Sequence, residues 1–551
     1  MRDLIFGLIG GTALLMYGVD MMGEGLEKIS GPMMKRILAT LTGRLWQAVL
    51  AGTVLTALVQ SSTAITVLTV GFVNAGLMSL SQAVGIIYGA NIGTTITAQL
   101  MALPFKLTDI ALLVLGIGFA IRFTAKKRHW QDVGQAIMGF GMMFLGLKIL
   151  NQGIPFIKNS PITSYFFETY ANQPFFAVLI GMVATMLVHS SSATVGLTMV
   201  LGGAGLINLN GAIGLMLGDN IGTCVTAQLA SLNTSTAGRR TAWAHTLYNV
   251  SGVLLAFIIF PLFKTLIQST SSNISQQIAN SHTLFNVLSA LLFLPITKYY
   301  VRFLERIVPE KRSKLAEGPA SHLDPLLLES PMAALSAVMM EVRAATELTQ
   351  QMLQQSRQVV ESGDGRGLQI VYDGEQKINE MQELVTKYLI SLSQRQVGAD
   401  ISQRIAALLH STNDVERIGD HLENFAELCK NLLDHDLQFT PQALGELTEL
   451  VQIVNDMMLM ISHRLGETGN LLEQEISQRE SMVDSLAKRL RNNHISRLEA
   501  DVCQLKPGLV FLDMVSNLER IADHLQNIAE CDAPDWEQNM ASQEFVATKA
   551  Q

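Results

Sequence analysis

Two similar stretches in the first half of the chain decide the fold: GTVLTALVQSSTAIT at residues 52–66 and GMVATMLVHSSSATV at residues 181–195. They begin a longer internal repeat, in which residues 52–100 align without a gap to residues 181–229 and 25 of the 49 pairs are identical. The identities include Ser, Thr, Asn and Gly positions, so shared hydrophobicity alone does not explain them. The first half of the chain therefore contains two homologous segments.

Charge separates the chain into two halves that suit different solvents. Residues 1–310 carry 18 Lys and Arg against 10 Asp and Glu, whereas residues 311–551 carry 21 and 37. The 61 residues from Leu45 to Phe105 include no Asp, Glu, Lys or Arg. Because a charged residue at the centre of a membrane helix costs about 2.5–3.5 kcal/mol on insertion scales, this composition indicates a membrane domain. The acidic second half is expected to be soluble in the cytoplasm.

Clusters of Lys and Arg predict how the repeats are oriented. If every cluster is cytoplasmic, the two halves of the membrane domain run in opposite directions, and each has an odd number of crossings. The stretch Leu4–Met22 lacks the basic start and the small-residue cleavage site of a signal peptide, so we interpret it as the first membrane helix. The clusters are Lys35, Arg36 and Arg44; Lys126, Lys127 and Arg128; Arg239 and Arg240; and Lys298, Arg302 and Arg306.

These patterns predict an all-α fold. It is a polytopic membrane protein of two inverted repeats with re-entrant or broken helices, followed by a soluble helical bundle. The expected boundaries are 1–307 for the membrane domain (repeat one about 1–129, repeat two about 130–263, an extra helix at 282–303), 308–330 for a Pro- and charge-rich linker, 331–535 for the helical domain and 536–551 for a tail.

Three consecutive small hydroxyl residues stand in the middle of each apolar repeat segment. Such a run favours a re-entrant hairpin or a broken helix, whose freed backbone groups must line a cavity. Backbone N–H groups and hydroxyls then converge at a helix N-terminus, which favours an anion. Any one of these residues alone would more simply serve helix packing, but the paired motifs favour a binding site. The candidates are Gln60, Ser61, Ser62, Thr63, His189, Ser190, Ser191 and Ser192.

The repeats share a second, Gly-rich segment, GANIGTTITAQ at 89–99 and GDNIGTCVTAQ at 218–228. Gly on both sides of an Asn predicts helix interruptions whose carbonyls, with Asn and Thr oxygens, coordinate a hard monovalent cation such as sodium. Asp219, which aligns with Ala90, is either a coupling-ion ligand or a capping or pore-mouth carboxylate. The candidates in this segment are Asn91, Thr94, Thr95, Asp219, Asn220 and Thr223.

A short segment of the second repeat recurs after it: HTLYNV at 245–250 is followed by HTLFNV at 282–287. Each copy places an Asn one helical turn after its His. We interpret these side chains first as hydrogen-bonding groups between helices, and second as proton or substrate contacts.

The segments QSSTA (60–64) and HSSSA (189–193), with the repeated G-A/D-N-I-G-T motif, resemble the bacterial branch of the type II sodium/phosphate cotransporter family over about residues 1–308. The resemblance implies sodium-driven movement of inorganic phosphate by alternating access across the bacterial cytoplasmic membrane. It also implies that phosphate and sodium bind at the two Gln-Ser-Ser regions, although His189 stands where the family has the second Gln.

Two other functions remain as alternatives. One is a membrane-anchored phosphate sensor that binds without net transport. The other is an intramembrane hydrolase that uses His189 with a nearby Ser, but no acidic residue is positioned to orient this His, and the other repeat has Gln60 in its place. The chain is therefore not expected to be an enzyme.

The second half of the chain is also duplicated, since DVERIGDHLENFAELC (414–429) returns as NLERIADHLQNIAEC (517–531). Apolar residues at helical spacing predict about six long helices, arranged as two three-helix units. Carboxylates four residues apart share one helical face and need either solvent or a cation. Two copies favour a site for iron, manganese, magnesium or zinc, with Glu416, Asp420, Glu519 and Asp523 as ligands.

The repeated E-R-I-x-D-H-x-x-N segments resemble PhoU domains over about residues 331–535. The resemblance implies a cytoplasmic module of phosphate regulation that binds metal clusters through Glu-x-x-x-Asp motifs. Asn379 and Asp484 are weaker candidates for the same acidic faces. The expected partners are inorganic phosphate, sodium, the lipid bilayer, phosphate-signalling proteins and further copies of the chain, and no nucleic acid.

Overall fold

The computed structural model describes residues 2–39, 44–103, 107–158, 165–232, 234–309, 322–395, 397–465, 471–500 and 502–531. The chain divides into two compact units, Met1–Ser313 and Lys314–Gln551, which we call the N-terminal and C-terminal units. Throughout these described ranges the regular secondary structure is helical, without strands.

Fourteen α-helices are described in the N-terminal unit. They are α1 (Arg2–Ala39), α2 (Leu45–Val59), α3 (Ser62–Asn74), α4 (Leu80–Met101), α5 (Leu107–Thr124), α6 (Arg128–Lys158), α7 (Pro174–Val188), α8 (Ser191–Gly203), α9 (Leu209–Gly222), α10 (Cys224–Ala230), α11 (Thr236–Ile258), α12 (Phe260–Thr270), α13 (Ile274–Phe293) and α14 (Thr297–Ile307). A short π-helix, Phe167–Ala171, precedes α7.

The helix breaks predicted at the two hydroxyl motifs are confirmed. Helix α2 stops at Gln60, which adopts a left-handed backbone conformation with φ 60° and ψ 18°, and α3 begins directly after Ser61. In the second repeat α7 stops at His189, with φ 54° and ψ 22°, and α8 begins after Ser190. A side chain in this conformation is uncommon outside Gly, Asn and Asp, and two copies at equivalent positions indicate a constrained, shared turn.

Glycines hold α2 parallel to α4, and α7 parallel to α9. A Cβ atom on Gly89 would overlap the backbone of Val49, and one on Gly93 would lie 2.5 Å from the carbonyl oxygen of Thr53, so residue numbers rise together along α2 and α4. The equivalent Gly218 approaches Val178 in the same way. Because α3 joins two parallel helices, it must return the chain towards the side from which α2 started. The α2–α3 and α7–α8 pairs are therefore re-entrant hairpins.

The same glycines correct one prediction. The segment at residues 89–99 was expected to interrupt a helix, but α4 runs unbroken from Leu80 to Met101. In the second copy α9 ends at Gly222 and α10 begins at Cys224, and Thr223 between them keeps helical backbone angles. The glycines are required for close approach of a neighbouring helix, a use that does not break the helix that carries them.

Helices α1 and α6, the first of each repeat, pack against each other in opposite directions. Gly11 faces Leu150 and Gly25 faces Ala136, so residue numbers rise along one helix as they fall along the other. Antiparallel packing of equivalent helices is what an inverted repeat requires. The inverted arrangement predicted from the Lys and Arg clusters therefore has a direct counterpart in the packing.

By length and composition, two described stretches are long and apolar enough to cross a membrane, Arg128–Gly153 and Ile274–Ile307. Helices α11 and α12 make a third candidate, although they meet at a bend of 87°. Helices α2, α3 and α7 are apolar but shorter. At about 1.5 Å per residue each of these three falls short of a hydrocarbon core of about 30 Å, which suits a re-entrant hairpin.

In its described residues the C-terminal unit has the six long helices that the sequence predicts. The repeated segments lie on α17 and α20, which pack against each other and against the two other helices of their own half. One apolar core joins all six helices. They are α15 (Pro331–Ser362), α16 (Leu368–Ser393), α17 (Ala399–Asp434), α18 (Pro441–Arg464), α19 (Leu471–Glu499) and α20 (Leu505–Cys531).

The glycine packing is tested by Gly89→Ala, which would force α2 and α4 apart. We expect it to destabilise the unit by about 1–3 kcal/mol, as overpacking does, and to lower the melting temperature of the full chain in detergent. The matched control is Gly116→Ala on α5, where an added Cβ meets nothing within 4 Å. Since Ala is the better helix former, the control should be neutral or slightly stabilising. Equal melting temperatures for the two variants would contradict this packing.

Candidate functional site

We call the residues around each of the two helix breaks, at Gln60 and at His189, a half-site. The half-site of the first repeat is built around Gln60, which is 7% exposed. Its Oε1 accepts a hydrogen bond from Thr97 Oγ1 at 2.5 Å, and its Nε2 donates to the carbonyl oxygen of Ala57. Both ends of this amide are therefore engaged. At the following residue, Ser61 Oγ accepts from the backbone N–H of Ala64 at 3.2 Å and caps α3.

The half-site of the second repeat has the same backbone and different side chains. Ser190 Oγ caps α8 by accepting from Ala193 N at 3.3 Å, as Ser61 does in α3. His189, the counterpart of Gln60, is exposed where Gln60 is buried. The two half-sites are thus equivalent in backbone and unequal in solvent access.

A buried carboxylate lies beside the second half-site. Thr185 Oγ1 donates to Asp219 Oδ1 at 2.8 Å and lies 2.9 Å from Thr194 Oγ1. Asp219 is 1% exposed, and its second oxygen, Oδ2, has no hydrogen-bond partner among the described residues. A buried carboxylate oxygen without a partner is costly unless a cation or a proton neutralises it. The first repeat has Ala90 in place of Asp219, so this feature belongs to one half only.

The starts of α3 and α8 supply the chemistry for an anion. Each helix has 13 residues, and its first turn presents backbone N–H groups beside the Ser and Thr hydroxyls of the motif. The N-terminus of a helix carries a partial positive charge and attracts phosphate without a charged side chain. The structure places Ser61, Ser62 and Thr63 at one such start and Ser190–Ser192 at the other.

Most candidates in the Gly-rich segments bond to their own helix. Thr94 Oγ1 donates to Ala90 O at 3.0 Å, Thr95 Oγ1 to Ile92 O at 2.8 Å and Thr223 Oγ1 to Asn220 O at 2.9 Å. Asn220 Nδ2 donates to Met216 O at 2.9 Å, whereas Asn91 Nδ2 has no partner in the ranges that the structure describes. A hydroxyl that donates in this way keeps its oxygen lone pairs, which remain free to accept from a ligand or to bind a cation.

Thr97, Thr185 and Thr194 are part of these half-sites and were not among the candidates. Thr185 and its repeat counterpart Thr56 are fully buried, and both lie about one turn before the hydroxyl motif. The sequence carried a signal for this residue, because a Thr that occurs at the same position in two apolar repeat copies is not needed for hydrophobicity. Only the fold shows that Thr185 and Thr194, from two arms of a hairpin, meet each other and that Thr185 binds Asp219.

In the C-terminal unit, Glu480, Asp484 and Asp523 bring carboxylate oxygens to within 4.8 Å of one another. Burial raises the pKa of Asp523, and the neighbouring Asp484 and Glu519 raise it further. Burial also raises the pKa of Glu480, together with Asp484 and Asp523. Three mutually repelling carboxylates fit a hard or borderline divalent metal, so the donor set is compatible with the ions considered from the sequence.

The other proposed ligands lie in different surroundings. Glu519 forms an ion pair with Arg491 and is not one of the three described carboxylates that lie within 4.8 Å of one another. Burial, followed by Asp420, raises the pKa of Glu416, and Glu375 on α16 adds to the effect. The sequence did not single out Glu480, although Glu480 and Asp484 have the same Glu-x-x-x-Asp spacing as Glu416 and Asp420.

Two family models match the chain, one in each unit. The model described as Na+/Pi-cotransporter matches residues 14–152 and 160–292, and the PhoU domain model matches residues 342–429 and 447–531. Each model matches twice, in agreement with the two internal duplications. The family is one of transporters, and phosphate is the species it moves.

Similar proteins match either one unit or nearly the whole chain. "Uncharacterized protein YqeW" of Bacillus subtilis is 33% identical over 310 residues, 55% of this chain and 99% of that protein. "Putative inorganic phosphate export protein YjbB" of Salmonella typhimurium is 25% identical over 518 residues, 93% of this chain and 94% of that protein. "Phosphate-specific transport system accessory protein PhoU homolog" of Xylella fastidiosa is 25% identical over 201 residues, 36% of this chain and 82% of that protein.

The architecture of two repeats with hairpins agrees with the matched family models and with the extent of these similarities. The chain belongs to the Na+/Pi-cotransporter family, as a membrane protein that carries a PhoU domain after its transporter unit.

Proposed function

We propose that the protein is a sodium-dependent inorganic phosphate symporter of the bacterial cytoplasmic membrane, working by alternating access, with its C-terminal unit in the cytoplasm as a regulator. The paired helix breaks at Gln60 and His189 carry this proposal. At each break one arm of a hairpin ends and the second arm begins, so the N-terminus of a helix lies inside an apolar unit. No Lys or Arg is next to either helix start in the sequence. Such a start can hold phosphate and release it again.

Sodium coupling is supported by the oxygen-rich surroundings of the second half-site. Among the described residues Asp219 Oδ2 has no partner, Thr185 Oγ1 binds the other carboxylate oxygen, Oδ1, and Thr194 Oγ1 lies next to Thr185 Oγ1. Carboxylate and hydroxyl oxygens are the ligands that hard cations prefer. Moving a doubly charged phosphate into a negative interior costs about 4.6 kcal/mol per 100 mV, twice the single-charge value. Co-transport of two sodium ions would cancel that cost.

The direction of net transport depends on the gradients. A relative that covers nearly the whole chain is named as a phosphate export protein. A symporter moves phosphate outward when the phosphate gradient and the membrane potential together exceed the inward drive from sodium. The same two half-sites therefore serve uptake or export.

The decisive experiment measures radiolabelled phosphate flux into proteoliposomes that contain the full chain. We expect an inward sodium gradient to raise the initial rate several-fold over an equal choline gradient, because bound sodium offsets the charge of phosphate. Flux that is indifferent to sodium would contradict the symporter. Binding without flux would instead favour the membrane-anchored sensor.

The site is tested by replacing both serine caps with Gly, in S61G/S190G. Gly is accepted at an N-cap with a loss of only a few tenths of a kcal/mol, so the helices should persist while the hydroxyls are removed. We expect phosphate flux to fall by at least about tenfold, the equivalent of about 1.4 kcal/mol. The matched control is S79G, at the N-cap of α4, where Ser79 Oγ accepts from Gln82 N. Full flux in S61G/S190G would move the phosphate site elsewhere.

The metal face of the C-terminal unit is tested by Asp523→Asn in the full chain. Elemental analysis of the purified protein should show less bound divalent metal or iron than in the parent, whereas Asp513→Asn, on an exposed part of the same helix, should retain it. Because the pKa values of Glu480 and Asp523 are raised, protons compete with the metal, and retention should fall as the pH is lowered. Equal metal content in both variants would contradict a site at this face.

A further inference from the structure

Helices α11 and α13, which carry the HTLYNV and HTLFNV segments, dock on the two repeats through the same hydrogen bond. Gln99 Nε2 donates to Thr283 Oγ1 at 2.8 Å, and Gln228 Nε2 donates to Thr246 Oγ1 at 2.7 Å. Gln99 and Gln228 are equivalent residues of the internal repeat. Helix α13 therefore completes the first repeat in the way that α11 completes the second.

The His and Asn of these segments are buried at both places. His245 and Asn249 are each 1% exposed, His282 is 2% exposed and Asn286 is 0% exposed. Asn249 Nδ2 donates to the backbone oxygen of His245 at 3.1 Å, and Asn286 Nδ2 donates to that of His282 at 2.9 Å. Because a backbone carbonyl only accepts, these bonds fix which end of each amide is nitrogen.

The opposite end of each amide has no partner within the described part of the chain. Among the residues that the structure describes, Asn249 Oδ1 and Asn286 Oδ1 accept no hydrogen bond, and neither His245 Nδ1 nor His282 Nδ1 has a partner. A buried carbonyl oxygen that has lost water and gained no partner is destabilising. The same pair of unpartnered atoms occurs at two places related by the repeat, so a ligand is a better explanation than a local packing defect.

The chemistry of these atoms selects a small monovalent cation. Each place offers an amide carbonyl oxygen and, in one tautomer of the His, a ring nitrogen lone pair, so both groups attract a positive ion. Amide oxygens are ligands for hard cations, and the His–Asn pair contributes no carboxylate of the kind that divalent ions usually require. The second place adjoins the Gly-rich segment, because Asn249 Nδ2 also contacts Cys224 Sγ at 3.4 Å.

We propose that Asn249 and Asn286, each with the His one turn before it, are ligands in two equivalent sodium sites, separate from the serine motifs. This inference rests on the sodium coupling proposed above and names residues for it. The Asn286 site lies on α13, which docks on the first repeat, and the Asn249 site lies on α11, which docks on the second.

The test compares N249A/N286A with N249D/N286D in the full chain, using sodium-driven phosphate flux in proteoliposomes. Both variants remove the amide donor to the His carbonyl, but only Asp keeps an oxygen at the ligand position. We expect Ala to raise the half-saturating sodium concentration by on the order of tenfold or more, and Asp to keep it within about threefold of the parent. The control is N151A, since Asn151 makes the same bond to Leu147 O on an exposed face of α6.

Thermal stabilisation of the detergent-solubilised protein by sodium chloride, relative to choline chloride, gives a second measurement that does not depend on flux. We expect the parent, N151A and the Asp variant to be stabilised by sodium, and the Ala variant to lose most of this shift. Equal impairment of Ala and Asp would show that only the amide donor matters and would overturn the proposal, as would an unchanged sodium response in Ala. A third outcome separates the two proposals. If sodium stabilises the parent but not the Ala variant, while phosphate flux through the parent does not depend on sodium, the symporter is refuted and the two sodium sites are supported.

Discussion

A chain that reverses inside an apolar phase must satisfy its backbone polar groups there, and the rest of the N-terminal unit depends on how this constraint is met. At each reversal one left-handed residue closes the first arm: Gln60 N donates to Thr56 O at 2.7 Å, and His189 N donates to Thr185 O at 2.8 Å. The next residue, Ser61 or Ser190, caps the second arm. The backbone N–H groups in the first turn of α3 or α8 have no acceptor within their own helix, and they can bind an anion.

Packing around the reversals explains why so many glycines and so few charges occur in the repeats. The α2–α3 and α7–α8 hairpins are short, and close contact with α4 and α9 holds them in place. The two halves then differ in detail. Gln99 belongs to a network with Gln276 and Asn280, whereas the side chain of Gln228 donates to Thr246. Alternating access between inverted repeats requires that the two homologous halves differ in conformation at any one time. Each half then takes the conformation of the other when the transporter changes state.

Part of this arrangement could be predicted from sequence, and the failures have physical causes. Consecutive hydroxyl residues predict the breaks after Val59 and Val188 because they suit a straight apolar helix poorly. The helix interruption predicted at 89–99 was wrong, because Gly both weakens a helix and allows a neighbouring helix to approach. Which of these two roles a Gly has depends on the helix that packs against it, and the sequence of the segment does not show this. The pairing of Glu519 with Arg491 and the meeting of Thr185 with Asp219 depend on contacts between separate helices, which periodicity along one helix does not encode.

The central claim is that phosphate binds where α3 and α8 begin. Arsenate has the shape and charge of phosphate and scatters X-rays anomalously, so crystals of the full chain grown with arsenate and sodium locate the anion directly. We expect an anomalous peak within hydrogen-bond distance of the first-turn backbone N–H groups of α3 or α8, next to Ser61 or Ser190. A peak elsewhere in the N-terminal unit, with none at either helix start, would contradict the account.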